Sequence, residues 1–202
     1  SQSPRFAEKM EAGALVPGDV LNRIIMYVSS MMEMKSSMGV IVAAPTAGSC
    51  GALPGAVLGV ADVLGKSPEE RVEAMLAAGM IGVFIAAHST FAAEVAGCMA
   101  ECGSGAAMAA AGIVLLMGGD FEQQMGAASM ALQSSLGMTC DTLANRVEAP
   151  CLGRNVTAAS NALSSANMAL AAYEHLVPFD EVVDAMKQVG DLMPREICCT
   201  GL

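Results

Sequence analysis

The run S-P-E-E-R-V-E-A-M-L-A-A-G-M-I-G-V-F-I-A-A-H (67–88) decides the fold class. Ser67 followed three residues later by Glu70 forms a capping box, and Pro68 stands at the first helical position, where its missing N–H is no loss. A helix should start there and run through the eighties. The same reading extends outward. Val20, Leu21, Ile24, Ile25, Val28, Met31 and Met32 recur at helical spacing from Pro17 on. Asp120, with Gln123 three residues later, can cap a helix over 121–135. The Ala- and Asn-rich stretch from Arg154 to Tyr173 reads as one helix, and Pro178 with Asp180 introduces a last one ending near Gly190. Only Met38–Ala44, with Val-Ile-Val, could be a strand, and it is too isolated to make a sheet. The expectation is an all-α, compact multi-helix domain over residues 1–202, with about seven to nine helices and cysteine-bearing loops between them. The chain begins at Ser1 and reads as a fragment or trimmed chain.

A chain of 202 residues is long enough to bury a real core. With 54% hydrophobic and 15% charged residues it is not a disordered chain. Its net charge of −10, the lack of any basic stretch and the absence of Trp argue against nucleic acid as a partner, and the charge argues equally against an anionic membrane surface. Residues 74–93 and 102–119 carry no Asp, Glu, Lys or Arg and approach the ~20 residues of a spanning helix. Both are diluted by small and polar residues, however, and lack an interfacial Trp/Tyr belt and a Lys/Arg flank bias. Such small-residue helices suit a tightly packed soluble bundle. Residues 1–13 mix Arg, Glu and Lys with no apolar core, unlike a signal peptide. The seven cysteines, an odd number spread widely, do not look like a secreted disulfide framework, so a reducing cytoplasm is expected.

Three segments resist the helical reading: Ala43 to Gly55, Gly97 to Gly105, and Gly137 to Asn155. Broken helices expose backbone N–H groups. In the first segment Thr46, Gly48, Ser49 and Gly51 could form an anion cradle at the start of the following helix; a plain helix–helix turn explains the pattern equally well. Cysteine in an Ala-rich helix is ordinarily a small buried hydrophobe. Cys140 and Cys151, both placed in the third segment, could instead fold around one object, with Cys98 or Cys102 as a third ligand. No pair has the spacing of structural zinc. His88 reads as a hydrogen-bonded core histidine sooner than a ligand, and His175 as a residue near a helix end. Three thiolates without a fourth partner would suit a 4Fe–4S cluster with one open iron, able to act as a Lewis acid.

Taken together, A-P-T-A-G-S-C-G (44–51), G-C-M-A-E (97–101) and C-x10-C running into G-R-N (140–155) resemble the α-chain of the bacterial iron–sulfur L-serine dehydratases. The resemblance runs from E-A-G-A-L (11–15) to M-P-R-E-I-C-C-T-G-L (193–202). It implies a helical catalytic chain whose oxygen-sensitive 4Fe–4S cluster is held by Cys98, Cys140 and Cys151, a cluster that aerobic preparation can strip. It implies conversion of L-serine to pyruvate and ammonia without pyridoxal phosphate. It also implies a β-chain partner, and a Gly-rich tail continuing past Leu202. Cys50, Cys198 and Cys199 receive no cluster role from it, and Cys102 stands where an aliphatic residue is expected.

In the mechanism so implied, the open iron assists departure of the serine hydroxyl while a base removes the Cα proton. Candidate bases are Lys35, His88, Glu101 or a partner residue. Thr46, Gly48, Ser49 and Gly51, with Arg154 or Asn155, would receive the substrate carboxylate. Two other readings stay open: a non-catalytic helical interaction module, and a related cluster-dependent lyase acting on cysteine or threonine. One methyl group in a pocket separates serine from threonine by only ~1–3 kcal/mol. The Ala/Met-rich surfaces suggest a homo-oligomer or a docking face for the β-chain.

Overall fold

The computed structural model describes residues 1–140 and 148–198. Among them the chain forms nine α-helices: α1 (Ser3–Glu11), α2 (Asp19–Ser36), α3 (Ala52–Val63), α4 (Pro68–His88), α5 (Ala93–Cys98), α6 (Ser104–Leu116), α7 (Phe121–Gln133), α8 (Glu148–Leu170) and α9 (Phe179–Leu192). A π-helical turn, Met99–Gly103, joins α5 to α6, and a short 3-10 turn, Arg195–Ile197, follows α9. The described residues contain no strand, so the all-α expectation holds.

Both anticipated capping boxes are present. Glu70 N–H donates to Ser67 Oγ at 3.2 Å while Ser67 N–H donates to the Glu70 carboxylate at 2.8 Å. Gln123 N–H donates to Asp120 Oδ1 at 2.8 Å, and Asp120 N–H to Gln123 Oε1 at 3.0 Å. Each box satisfies two donors that a helix start leaves without partners. The first helix is capped differently: the Glu33 carboxylate of α2 accepts from the Ser1 and Ser3 hydroxyls and from the Gln2 and Ser3 N–H groups. Burial opposes the charge on Glu33, but those hydrogen bonds hold its carboxyl at about 2.

The core is built around α6, whose residues are buried except Leu115 and which packs on α3, α4, α7 and α8. Its alanines, with Gly112, let four neighbours approach closely. The pairing of α2 with α3 shows the same device. Gly51, Gly55 and Gly59, one helical turn apart, lie over Met32, Val28 and Ile24; a Cβ on Gly55 would stand 3.1 Å from the Val28 backbone nitrogen. With no side chain in the way, the two backbones come together and the α2 residues fill the groove. Across the molecule α9 covers α5 and α7 with Phe179, Val182, Val183 and Met186.

Two stretches are long and apolar enough to cross a membrane, Pro68–His88 and Ala93–Leu116. The second is 89% buried inside the bundle, as a core helix is. The first, α4, buries Ala74, Ala78, Ile81 and Ile85 and turns Val72, Leu76, Met80, Val83 and Phe84 outward, Leu76 being 65% exposed. These five residues form an exposed apolar stripe along one side of the helix.

Several local expectations are corrected. Met38–Ala44 is irregular, with no paired strand beside it. The helix expected from Arg154 begins at Glu148, so Cys151, Arg154 and Asn155 are helical and not part of an irregular loop; Pro150 is tolerated because it lies in the first turn, where no intrahelical N–H bond is lost. The break expected over Gly97–Gly105 is confined to Ala96 and Gly97, after which the chain is helical through the π turn into α6. His88 is exposed at the C-terminal end of α4 and is not a core histidine. His175 lies in the loop after α8, packed over Gly126 of α7. Within Gly137–Asn155, residues 141–147 lie outside the described residues, as do Cys199 and the rest of the 199–202 tail.

Candidate functional site

An open cleft of about 610 Å³ is lined by Lys35, Thr46, Ala47, Gly48, Glu101 and Cys151, with residues 90–94 forming its other wall. Five separate segments thus meet: the end of α2, the turn before α3, the start of α5, the π turn, and the first turn of α8.

The turn before α3 is held from both sides. Thr46 Oγ1 accepts from the Ser49 N–H at 3.1 Å and pairs with Ser49 Oγ at 3.0 Å, which fixes the threonine hydroxyl. That hydroxyl donates to Glu101 Oε1 at 2.5 Å. The Gly48 N–H also donates to the Glu101 carboxylate. Gly48 has to be glycine in this arrangement, since a Cβ there would run into that carboxylate. Burial pushes the Glu101 carboxyl above its usual range, against the opposing pull of the Thr46 hydroxyl, the Lys35 ammonium and the Gly48 N–H.

Behind the turn lies Asn155, fully buried on α8. Its Oδ1 accepts from the Gly51 and Ala52 N–H groups at 3.2 and 2.9 Å, so a side chain from α8 caps α3, whose own N-cap residue, Gly51, has none. Its amide nitrogen donates to Gly48 O and Cys151 O, both at 2.8 Å, and lies 3.8 Å from Cys102 Sγ. One side chain therefore ties the turn before α3 to two cysteine-bearing elements.

The cysteines fall into two groups. Cys98 is hydrogen-bonded to Cys102 and to Cys140, and the Cys102 contact together with burial raises its thiol well above the ordinary range. All three are buried. Gly97 makes this possible: its φ of +64° is the left-handed region that favours glycine, and a Cβ there would sit 2.7 Å from Met138 O. The sharp turn delivers Cys98 to the segment that carries Cys140, where Met99 N–H bonds Met138 O at 3.0 Å and Cys140 N–H bonds Ile197 O at 3.1 Å. Cys151, also buried, faces the cleft from α8.

The donors fit an iron–sulfur cluster in chemistry. They are soft sulfurs, buried, and gathered where a bare thiolate would be unfavourable and a metal-bound one would not. No three His, Cys, Asp or Glu residues among those described form a ready-made metal site.

Of the residues anticipated from sequence, Lys35, Thr46, Gly48, Glu101 and Cys151 line one cleft. Ser49, Gly51 and Asn155 are buried behind its wall. Arg154 is half-buried on α8 and is not among the cleft-lining residues. His88 lines a different depression, with Lys187 and Asp191 of α9. Cys102, weighed from sequence with Cys98 as a third ligand, lies against Cys98.

A family profile described as serine dehydratase alpha chain matches residues 2–202. The chain is 42% identical over 198 residues to a protein of Peptoniphilus asaccharolyticus named "L-serine dehydratase, alpha chain", covering 98% of this chain and 68% of that one. It is 39% identical to "Probable L-serine dehydratase, alpha chain" of Latilactobacillus sakei, covering 91% and 88%. It is 35% identical to "L-serine dehydratase" of Mycobacterium tuberculosis (strain CDC 1551 / Oshkosh), covering 94% of this chain and 40% of that protein.

Proposed function

The chain belongs to the serine dehydratase alpha chain family, and on that premise we propose that it is the catalytic chain of an iron–sulfur-dependent L-serine dehydratase, a carbon–oxygen lyase of the cytoplasm. The observation that carries the reading is the convergence of Thr46, Gly48, Lys35, Glu101 and Cys151 on one cleft, beside the buried Cys98–Cys140 pair.

Cys98, Cys140 and Cys151 would hold a 4Fe–4S cluster. When bound, such a cluster with an open iron supplies a Lewis acid that makes hydroxide a tolerable leaving group. The rest falls to the chain itself. Thr46 Oγ and the Gly48 N–H receive the serine carboxylate through charge-assisted hydrogen bonds. Lys35 and Glu101, and Glu94 on the opposite wall, are groups in the cleft able to move a proton, and the Cα proton is the one to be removed. Loss of water from serine leaves the aminoacrylate, whose imine tautomer hydrolyses to pyruvate and ammonia. Asn155, and Ser49 through Thr46, act by holding the donors in place. His88 lies outside the cleft and receives no part in this scheme.

The chain covers 40% of the Mycobacterium tuberculosis relative's length, and the exposed stripe on α4 offers a place for additional protein to pack. A β-chain partner and self-association both draw support from it. The test is pyruvate release from L-serine by anaerobically reconstituted protein, with and without a β-chain. Substituting Cys140 by Ala should abolish both cluster absorbance and pyruvate formation; activity retained in that variant would overturn the reading.

A further inference from the structure

We propose that Glu101 is a built-in surrogate ligand: its carboxylate occupies the Thr46–Gly48 seat that a substrate carboxylate would take, so that binding proceeds by exchange of one carboxylate for the other. The identity of the incoming ligand as an α-amino acid rests on the serine dehydratase reading; the occupied seat does not.

The seat has the features of a carboxylate receptor. It offers a hydroxyl whose position is fixed by two contacts from Ser49, a backbone N–H on a glycine with no side chain to block approach, and a nearby ammonium on Lys35. It borders an open cleft of about 610 Å³ that is far larger than the Glu101 side chain needs. The Thr46 hydroxyl has one proton to give and the Gly48 nitrogen has one, and both now go to Glu101. A second carboxylate cannot use them until Glu101 withdraws, and two carboxylates side by side in a half-buried cleft repel. Glu101 sits on the π turn, the irregular joint between α5 and α6, where a side chain can leave its partners without disturbing a regular helix. The burial that already biases Glu101 toward its neutral form acts in the same direction, since a protonated Glu101 is the weaker competitor.

The consequence is quantitative. The apparent affinity of a ligand is its intrinsic affinity reduced by the fraction of molecules with the seat free. If Glu101 holds the seat about nine-tenths of the time, removing it should tighten carboxylate binding about tenfold. The experiment measures binding by calorimetric titration of the intact protein, wild type and Glu101→Ala, with three probes: L-serine, acetate, and L-serinamide, which lacks the carboxylate. The expected result is about tenfold tighter binding of acetate and L-serine to Glu101→Ala, no change for serinamide, and loss of the gain when Thr46→Val is added. Glu101→Gln, which preserves shape and folding most closely, should show a smaller gain in the same direction. Acetate binding no tighter to either Glu101 variant than to wild type overturns the proposal, even if L-serine still binds and the serine reading stands. Conversely, an acetate gain with no preference for L-serine over acetate supports the surrogate while removing the serine reading.

Discussion

Replacing Asn155 by alanine should be among the most damaging single changes in this chain. The side chain is fully buried, and its loss leaves the Gly51 N–H without its acceptor, the Ala52 N–H with only its 3.2 Å bond to Ser49 O, and the Gly48 and Cys151 carbonyls without the amide donor. A buried donor left unsatisfied, here the Gly51 N–H, costs about 1–3 kcal/mol, and the lost bonds at Ala52, Gly48 and Cys151 add about 1–2 kcal/mol. A water entering the vacated space would return part of this, which puts the expected loss near 3 kcal/mol. At about 2–4 °C per kcal/mol for a chain of this size, the melting temperature should fall by roughly 6–12 °C. The assay is equilibrium urea unfolding, with an unchanged m-value showing that the loss is one of stability. Amide exchange at Gly51 and Ala52 should accelerate more than exchange in α9, which Asn155 does not touch. Asn155→Asp keeps an acceptor but loses the amide donors and places a negative charge beside two carbonyls, so it too should fail. A loss under about 1 kcal/mol for Asn155→Ala would refute the claim that this residue caps α3 from α8.

Gly97→Ala should destabilise the chain and separate Cys98 from Cys140, because it forces a side chain into the left-handed region and to within 2.7 Å of Met138 O; thiol labelling of Cys98 in the folded protein should rise, and unchanged labelling would count against the kink as the device that places it. Glu33 is held at about 2, below its unfolded value, so the stability it contributes is present above the usual carboxylate range and lost as pH falls toward about 2. Hydrogen exchange of α1 amides should therefore accelerate over that acid window, and Glu33→Gln should show the faster exchange already at neutral pH. Glu101 has the opposite sign: its folded carboxyl binds its proton more tightly than in the unfolded chain, so stability falls as pH rises through the region above its ordinary value. Glu101→Gln should remove that slope, with its urea midpoint gaining on wild type between pH 4 and pH 7. Leu76→Lys with Met80→Lys on the outward face of α4 should leave the fold intact and weaken association, read as a lower sedimentation coefficient at equal concentration; an unchanged coefficient in a protein that associates would place the contact elsewhere.

Much of the helical frame was legible because its signals are local. Ser67 with Glu70 and Asp120 with Gln123 are capping partners three residues apart, and both boxes form as spaced. The motif segments also pointed to the right region, since Thr46, Gly48, Glu101 and Cys151 meet in one cleft. What stayed hidden depends on long-range contacts. Asn155 looks like a ligand-facing polar residue beside Arg154, yet the donors it serves are 103 and 104 residues away. His88 looked like a core residue because it continues the spacing of Ile81 and Ile85; it is exposed because α4 ends at His88, past its last buried residue. Cys102, weighed with Cys98 as a third ligand, does lie against it, as residues four apart on a helical segment do. Proline at 150 and glycine at 153 suggested a broken segment, but proline in a first turn and glycine on an exposed face are both compatible with helix.

The most direct test of the account is anaerobic reconstitution of the chain with iron and sulfide, followed by a visible spectrum and an iron count, on wild type and on Cys98→Ser, Cys140→Ser and Cys151→Ser. The account predicts a brown wild-type protein with about four irons per chain, and a loss of colour and iron in each variant. A colourless wild type holding no iron, with those three thiols reduced and the helices intact, would contradict it and leave a helical interaction module in place of an enzyme.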